Sequence, residues 1–374
     1  MQKLGDYIRE VDVRNKDLKV TNLLGVSINK SFIPSIANLI GADLSNYKII
    51  EKKHFVYVPV TSRNGEKLSI ALLNDCENAI VSQAYTVFEI IDKEKLLPEY
   101  LMMWFKRPEF NRYARFHSHG SAREVFDWSE MCDVLLPIPS IEQQREIVSE
   151  YETISKRIKL NEQIIKNLEA TAQTLYHKMF VEGIDKENLP EGWRIGTLGE
   201  YVELSQGIQV EIEDQSYIHY QGYNRFIRII DYTPGSVEPP RYVNIDNKRY
   251  YSKRDDVVMI RYGDAGTVCR RIEGIIANNL FKITPIKILT RNYIYNFLKS
   301  ETIQAQIKGT AASSTMPAIT HTSIRELECF VPPEDIIIAY DKFANIIENQ
   351  IIQYIDESKI LIELQSLLLA KMGR

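Results

Sequence analysis

Cysteine is scarce in this chain. Its 374 residues hold four, Cys76, Cys132, Cys269 and Cys329, far apart and never in CxxC spacing. That argues against a zinc ribbon and reads instead as thiols in a reducing compartment. Histidine is also sparse, with six residues and one close pair, His117 and His119. No acidic or thiol partner stands at helical spacing from that pair, so it does not read as a metal site. Apolar runs of about 18 residues are missing, so no membrane span is expected. Met1 to Glu10 is charged and mixed, without the apolar core of a signal peptide. The expected compartment is the cytoplasm.

Positive charge is not in excess either. Lys and Arg total 46 against 50 Asp and Glu, a net charge of −4. Residues 1–140 carry 18 basic and 18 acidic residues, and 190–333 carry 17 and 16. The excess acid lies in 141–189, with 7 against 9, and in 334–374, with 4 against 7. A chain that gripped phosphates alone would be more basic. If it binds nucleic acid, a partner supplies much of the backbone affinity.

Catalytic motifs are lacking as well. There is no GxxxxGK phosphate loop and no GxGxxG. Gly263-Asp264-Ala265-Gly266 follows a strand-like run, but no helical pattern follows it. The Asn/Asp-Pro-Pro-Tyr motif of amino-methyltransferases, GxSxG and HExxH are all absent. Carboxylate pairs such as Asp255-Asp256 and Glu211/Glu213 are expected by chance among 50 acidic residues. The chain reads as a non-enzyme.

What is present is a duplication. Leu4-Gly5-Asp6-Tyr7-Ile8 recurs as Leu198-Gly199-Glu200-Tyr201-Val202, offset by 194. Pro137-Ile138-Pro139 recurs as Phe330-Val331-Pro332, and Tyr100-Leu101 as Tyr293-Ile294, both offset by 193. Between these anchors the halves diverge. A scaffold with exchangeable surfaces has this pattern.

Each half ends in a long helical pattern. Ile147, Tyr151, Ile154, Ile158, Asn161, Ile165, Leu168, Ala172, Leu175 and Met179 step by 4 and 3, the heptad spacing. Adding 193 gives Tyr340, Ala344, Ile347, Ile351, Tyr354, Ser358, Leu361, Gln365, Leu368 and Met372, of which eight are again apolar. Each helix of about 38 residues would be roughly 57 Å long. A small domain cannot cover such a stripe, so the two helices are expected to form a coiled coil, with Asn161 fixing register. Two independent long helices remain the alternative. Ser140 and Gln143 supply a capping box, and Gly183 with Asp185 to Pro190 stops the first helix.

The expected order is a globular domain over 1–140, a helix over 141–183, a second domain over 184–333 with 184–190 as linker, and a helix over 334–374. Strands are expected at Phe55–Val58, Tyr85–Ile90, Phe226–Ile230 and Val257–Ile260. One short helix per domain is expected, at Glu99–Ala114 and Arg291–Ile307. The fold class is therefore α+β with curved, mainly antiparallel sheets.

Polar loops are the candidate reading surfaces. His117-Ser118-His119-Gly120-Ser121-Ala122-Arg123 precedes the last strand of the first domain. Lys308-Gly309-Thr310, continuing to Ser313-Ser314-Thr315, is its counterpart in the second. Such segments can approach a DNA backbone and place hydroxyls on base edges, though a plain surface loop has the same composition. Ser62-Arg63-Asn64 with Lys67 joins guanine- and adenine-matching side chains at a turn, where Asn64-Gly65 is also an ordinary hairpin signal. Arg261 and Tyr262 end a strand, with Arg270 and Arg271 nearby.

These residues resemble a known family. Leu136-Pro137-Ile138-Pro139-Ser140-Ile141-Glu142-Gln143-Gln144-Arg145 opens the first helix, and Leu189-Pro190-Glu191-Gly192-Trp193 opens the second domain. Arg261 to Val268 is similar to a strand-turn-strand motif of the recognition domains, and Gly120 to Glu124 ahead of Asp127-Trp128 to another recurrent segment. The whole chain resembles the specificity subunit of Type I restriction-modification systems. It departs from the pattern at Pro332-Pro333-Glu334-Asp335-Ile336-Ile337, which lacks the Gln pair.

The resemblance implies two target recognition domains, each reading half of a bipartite double-stranded DNA site. It implies an antiparallel coiled coil that sets the spacer, with pseudo-twofold symmetry between the copies. Two methyltransferase subunits would dock on the helices, and restriction subunits would join through the complex. S-adenosylmethionine, ATP and Mg would belong to those partners, and this chain would hold no cofactor. From the residues alone, a coiled-coil adaptor without DNA specificity and a self-contained nuclease stay open.

Overall fold

The computed structural model describes residues 1–35, 43–62, 67–120, 123–236, 238–311 and 318–373. The first half forms β1 (Gln2–Lys3), β2 (Ile8–Val11), β3 (Leu24–Val26), β4 (Phe32–Pro34), β5 (Lys48–Glu51), β6 (Phe55–Tyr57), β7 (Ile70–Leu72), β8 (Asn78–Val81) and β9 (Thr86–Ile90). Helices α1 (Pro98–Lys106), α2 (Pro108–Phe116) and α3 (Trp128–Cys132) follow, then β10 (Leu135–Leu136) and the long α4 (Ile141–Phe180). The second half forms β11 (Arg194–Thr197), β12 (Val202–Gln206), β13 (Asn224–Ile227), β14 (Arg241–Val243), β15 (Tyr251–Ser252), β16 (Val257–Ile260), β17 (Val268–Cys269), β18 (Gly274–Ile276) and β19 (Leu280–Pro285). It closes with α5 (Arg291–Lys299), α6 (Glu301–Ala311), α7 (His321–Arg325), β20 (Glu328–Val331) and the long α8 (Glu334–Lys371).

The chain divides into two units, Met1–Leu160 with Glu357–Arg374, and Asn161–Asp356. Each therefore holds one globular part and a portion of both long helices. The first unit has a sheet of order β2-β9-β6-β7 and the second one of order β12-β19-β16-β17, all antiparallel. The duplication is thus a repeat of topology as well as of motifs. Among the described strands the only parallel ladder joins β13 and β18.

The repeated motifs tie each copy shut in the same way. Leu4 N–H donates to Val134 O and Leu198 N–H to Leu327 O, both at 2.8 Å. Tyr100 donates its hydroxyl to Pro137 O, and Tyr293 to Phe330 O. The motif glycine lies against the short helix before the last strand. A Cβ on Gly5 would sit 2.8 Å from Cys132 Cβ, and one on Gly199 2.8 Å from Arg325 Cβ. Only a residue without a side chain permits that approach.

The Gln pair at the start of α4 is structural. Gln143 caps the helix reciprocally with Ser140. Gln144 is fully buried; it accepts from Leu97 N–H and donates to Lys95 O and Pro139 O. In the second copy Ile337 takes its place, 1% exposed within the apolar core. A polar latch in one copy is an apolar one in the other, which is why the motif departs there.

Within each unit the two long helices run antiparallel. In the first, Gln365 donates to Ser155 Oγ at 2.6 Å and Arg157 pairs with Glu357 at 2.8 Å. In the second, the Phe180 and Tyr340 rings lie 4.9 Å apart, and Glu169 and Glu348 both hold Arg271. Tyr151, Asn161, Tyr340 and Ile351 of the heptad stripe are buried. Ile147, Ile154, Ile158, Ile165, Leu168, Leu175, Ile347, Tyr354, Leu361 and Leu368 are half-buried. Val148, Tyr176, Phe180, Ile337 and Leu369 lie off that stripe and are buried too, because each helix also packs on a globular core.

Three expectations are corrected. The helix expected over Glu99–Ala114 is two, because Pro108 drives Arg107 to φ −66°, ψ 140° and starts a new helix. The one expected over Arg291–Ile307 likewise breaks at Ser300, φ −63°, ψ 144°. The strand expected over Phe226–Ile230 stops at Ile227, where the Asp231 carboxylate accepts from Arg228 N–H and pairs with Arg225 and Arg228, forming a turn.

Candidate nucleic-acid interface

Beyond the last residue of β6 the chain is clasped by the segment ahead of α3. Val60 bridges Val125, and Thr61 N–H donates to Glu124 O at 2.9 Å. His119 bridges Val125 from the other side. Ser62 thus lies beside the segment carrying His117, His119 and Arg123. Ser62, His119 and Arg123 are exposed, while Lys67 and His117 are half-buried. The turn depends on Gly120, at φ +135°, where a Cβ would lie 2.2 Å from Arg123 O. Arg63, Asn64 and Ser121 lie outside the described residues.

The two histidines face a shared carboxylate. His117 Nδ1 is 2.7 Å and His119 Nε2 4.0 Å from Glu130. No cluster of metal-ligating side chains occurs among the described residues.

In the second unit the same end of the matching strand carries Arg261 and Tyr262. Arg261 N–H donates to Asn279 O, and Arg261 O accepts from Ile319 N–H. Tyr262 bridges Ala318 and is 36% exposed. Lys308, expected in a loop, stands exposed in the last turn of α6. The buried Ile303 and Ile307 carry that helix through to Ala311. Thr310 belongs to the same helix, with its side chain outside the described set, as are Ser313, Ser314 and Thr315.

Arg270 and Arg271 do not belong to this surface. Their side chains are 3% and 10% exposed and bind Glu348 at 2.5 and 2.7 Å. Arg271 also pairs with Glu169. Burial works against the Glu169 charge, yet Arg271 and Lys299 hold its carboxyl below the usual range. These arginines fasten the β17 turn to both long helices within the second unit.

Sequence reading missed Gln206 at the end of β12 and Asn279 ahead of β19, which flank Arg261. It also missed an exposed aromatic run at Tyr217, Ile218 and Tyr220, where Arg241 stacks on Tyr217 at 3.8 Å. Gln206 and Asn279 carry no local signal, because they meet Arg261 only through strand register. The aromatic density of 217–223 was the signal for the run.

Residues 12–170 and 190–357 each match the family model described as Type I restriction modification DNA specificity domain. The chain is similar to the Type I restriction enzyme MjaIX specificity subunit of Methanocaldococcus jannaschii, 23% identical over 310 residues, covering 76% of this chain and 70% of that one. It is 26% identical over 186 residues to the HindI specificity subunit of Haemophilus influenzae, covering 48% of this chain and 40% of that one. The fold resembles the crystal structure of the S subunit of a Type I restriction-modification system from M. genitalium, with a TM-score of 0.58 and 15% identity, covering 100% of this chain and 95% of that one. Two copies of one specificity domain, each built on the same four-stranded sheet, place this chain in the Type I restriction-modification DNA specificity family, as a specificity subunit.

Proposed function

We propose that each globular part reads one half of a bipartite, asymmetric DNA target. The long helices set the spacer between the halves and dock two methyltransferase subunits, through which restriction subunits join. S-adenosylmethionine, ATP and Mg belong to those partners, and this chain selects the site without catalysing a reaction. The carrying observation is that both units keep the same sheet order, tyrosine bond and glycine contact, while their strand-end residues differ. A constant frame with two distinct surfaces suits two distinct half-sites. The balanced charge of each globular part fits partners that supply much of the phosphate contact.

The test is domain exchange in the complex reconstituted with its methyltransferase subunits. Replacing residues 1–140 by the matching part of another family member should change one half-site, read by mapping methylated adenines. A change in both half-sites would refute independent reading. Deleting seven residues at matched places in both helices removes about 10.5 Å, or about three base pairs of spacer at 3.4 Å each. An unchanged spacer would refute the measuring role.

A further inference from the structure

At one edge of the β12-β19-β16-β17 sheet, the second unit gathers polar side chains that are distant in sequence. Gln206 ends β12, Asn279 precedes β19 and Arg261 follows β16. Register brings them together, with Gln206 opposite Phe281 and Ile260 opposite Leu280. Arg261 donates from its guanidinium to Gln206 Oε1 at 3.3 Å. Gln206 in turn donates to Leu280 O at 3.1 Å and to Asn278 O, so its own carboxamide is anchored.

This edge holds unanswered polarity. Arg225, Arg228, Arg254, Arg270, Arg271 and Arg291 of this unit each have a carboxylate partner. Arg241 has none but is answered by the hydroxyl and ring of Tyr217, whereas the half-buried Arg261 has none among the described residues. Its Nε and Asn279 Oδ1 also lack hydrogen-bond partners among the described residues. Uncompensated groups of this kind in a native structure call for an explanation. The framework around them is duplicated, but the chemistry is not. His321 opens α7 against Phe281 at 4.9 Å, and Trp128 opens α3 against Phe88 at 5.5 Å.

We propose that Arg261 and Asn279 read purine edges in the half-site of the second domain, with Gln206 as the residue that positions Arg261. This rests on the DNA-reading function proposed above. A guanidinium fork matches guanine O6 and N7, and a carboxamide matches adenine N6 and N7.

The experiment uses the full chain with its methyltransferase subunits and a DNA library randomised across the site. Methylation is read by sequencing for wild type and for Arg261→Lys, Asn279→Ala, Asn279→Asp and Gln206→Leu. Lysine keeps the charge and loses the fork. Discrimination should fall roughly 5- to 150-fold at one position of one half-site. Gln206→Leu should relax the same position as Arg261→Lys, which a merely structural residue would not do. Asn279→Asp should change the preferred base, since its donor is lost and its shape kept. Wild-type sequence profiles in all variants, or an equal loss over both half-sites, would overturn the assignment. A wild-type complex without sequence preference would instead sink the DNA-reading function itself.

Discussion

Replacing Glu348 with alanine would strip two guanidinium groups of a carboxylate they share in a nearly dry place. Glu348 is 7% exposed, and the Arg270 and Arg271 side chains are 3% and 10% exposed. Arg271 would keep Glu169. Arg270 would keep only Asn292 Oδ1 at 3.0 Å and the face of Tyr295 at 3.7 Å. Removing one partner of a buried pair costs about 3–5 kcal/mol, because the other charge stays buried without compensation. With Glu169 still in place, a loss of about 3 kcal/mol is expected for the second unit. The control is Glu357→Ala, whose pair with Arg157 is 37% and 43% exposed and should contribute below about 1 kcal/mol. Urea unfolding gives the global loss, and hydrogen exchange in α8 and the β17 turn locates it. Glu348→Gln, which keeps volume but not charge, should fall between the two. If Glu348→Ala loses no more than Glu357→Ala, the network is open to water and the reasoning fails.

The pH dependence of the first unit should report Lys30. Burial first, then Lys67 and Lys106, pushes its ammonium from 10.5 down to about 7, while it donates to Phe105 O. The folded value lies below the unfolded one, so the unfolded chain binds the extra proton between them. Stability should therefore rise with pH across that window, by up to about 1.4 kcal/mol per pH unit relative to Lys30→Met. Parallel pH profiles for the two proteins would contradict this. Gly5→Ala and Gly199→Ala should each lower stability by about 1–3 kcal/mol, since each new methyl meets a Cβ at 2.8 Å. Equal melting temperatures for variants and wild type would show that the short helices shift freely.

The long helices were the most legible part of the sequence. Every stripe position named from Ile147 to Leu368 is buried or half-buried, since heptad spacing is a local property of one helix. The strand at Val257–Ile260 was legible for the same reason, being short, apolar and bounded by turn residues. The break at Arg107 is written in Pro108, although the apolar pattern runs on across it. The break at Ser300 had no such marker. The polar edge at Gln206, Arg261 and Asn279 had no local sign, because its members meet only through strand register.

By itself the sequence determined the repeat, the two long helices and the lack of a catalytic motif, all of which depend on spacing along the chain. Tertiary structure alone decided which charges are paired with carboxylates. Arg261 and Arg271 are close in sequence and alike in chemistry. Arg261 follows β16 with no carboxylate partner among the described residues, and Arg271 sits at φ +77° between Glu169 and Glu348. The difference lies in what the fold packs beside them. Desolvation and pairing depend on neighbours that the fold brings from distant parts of the chain.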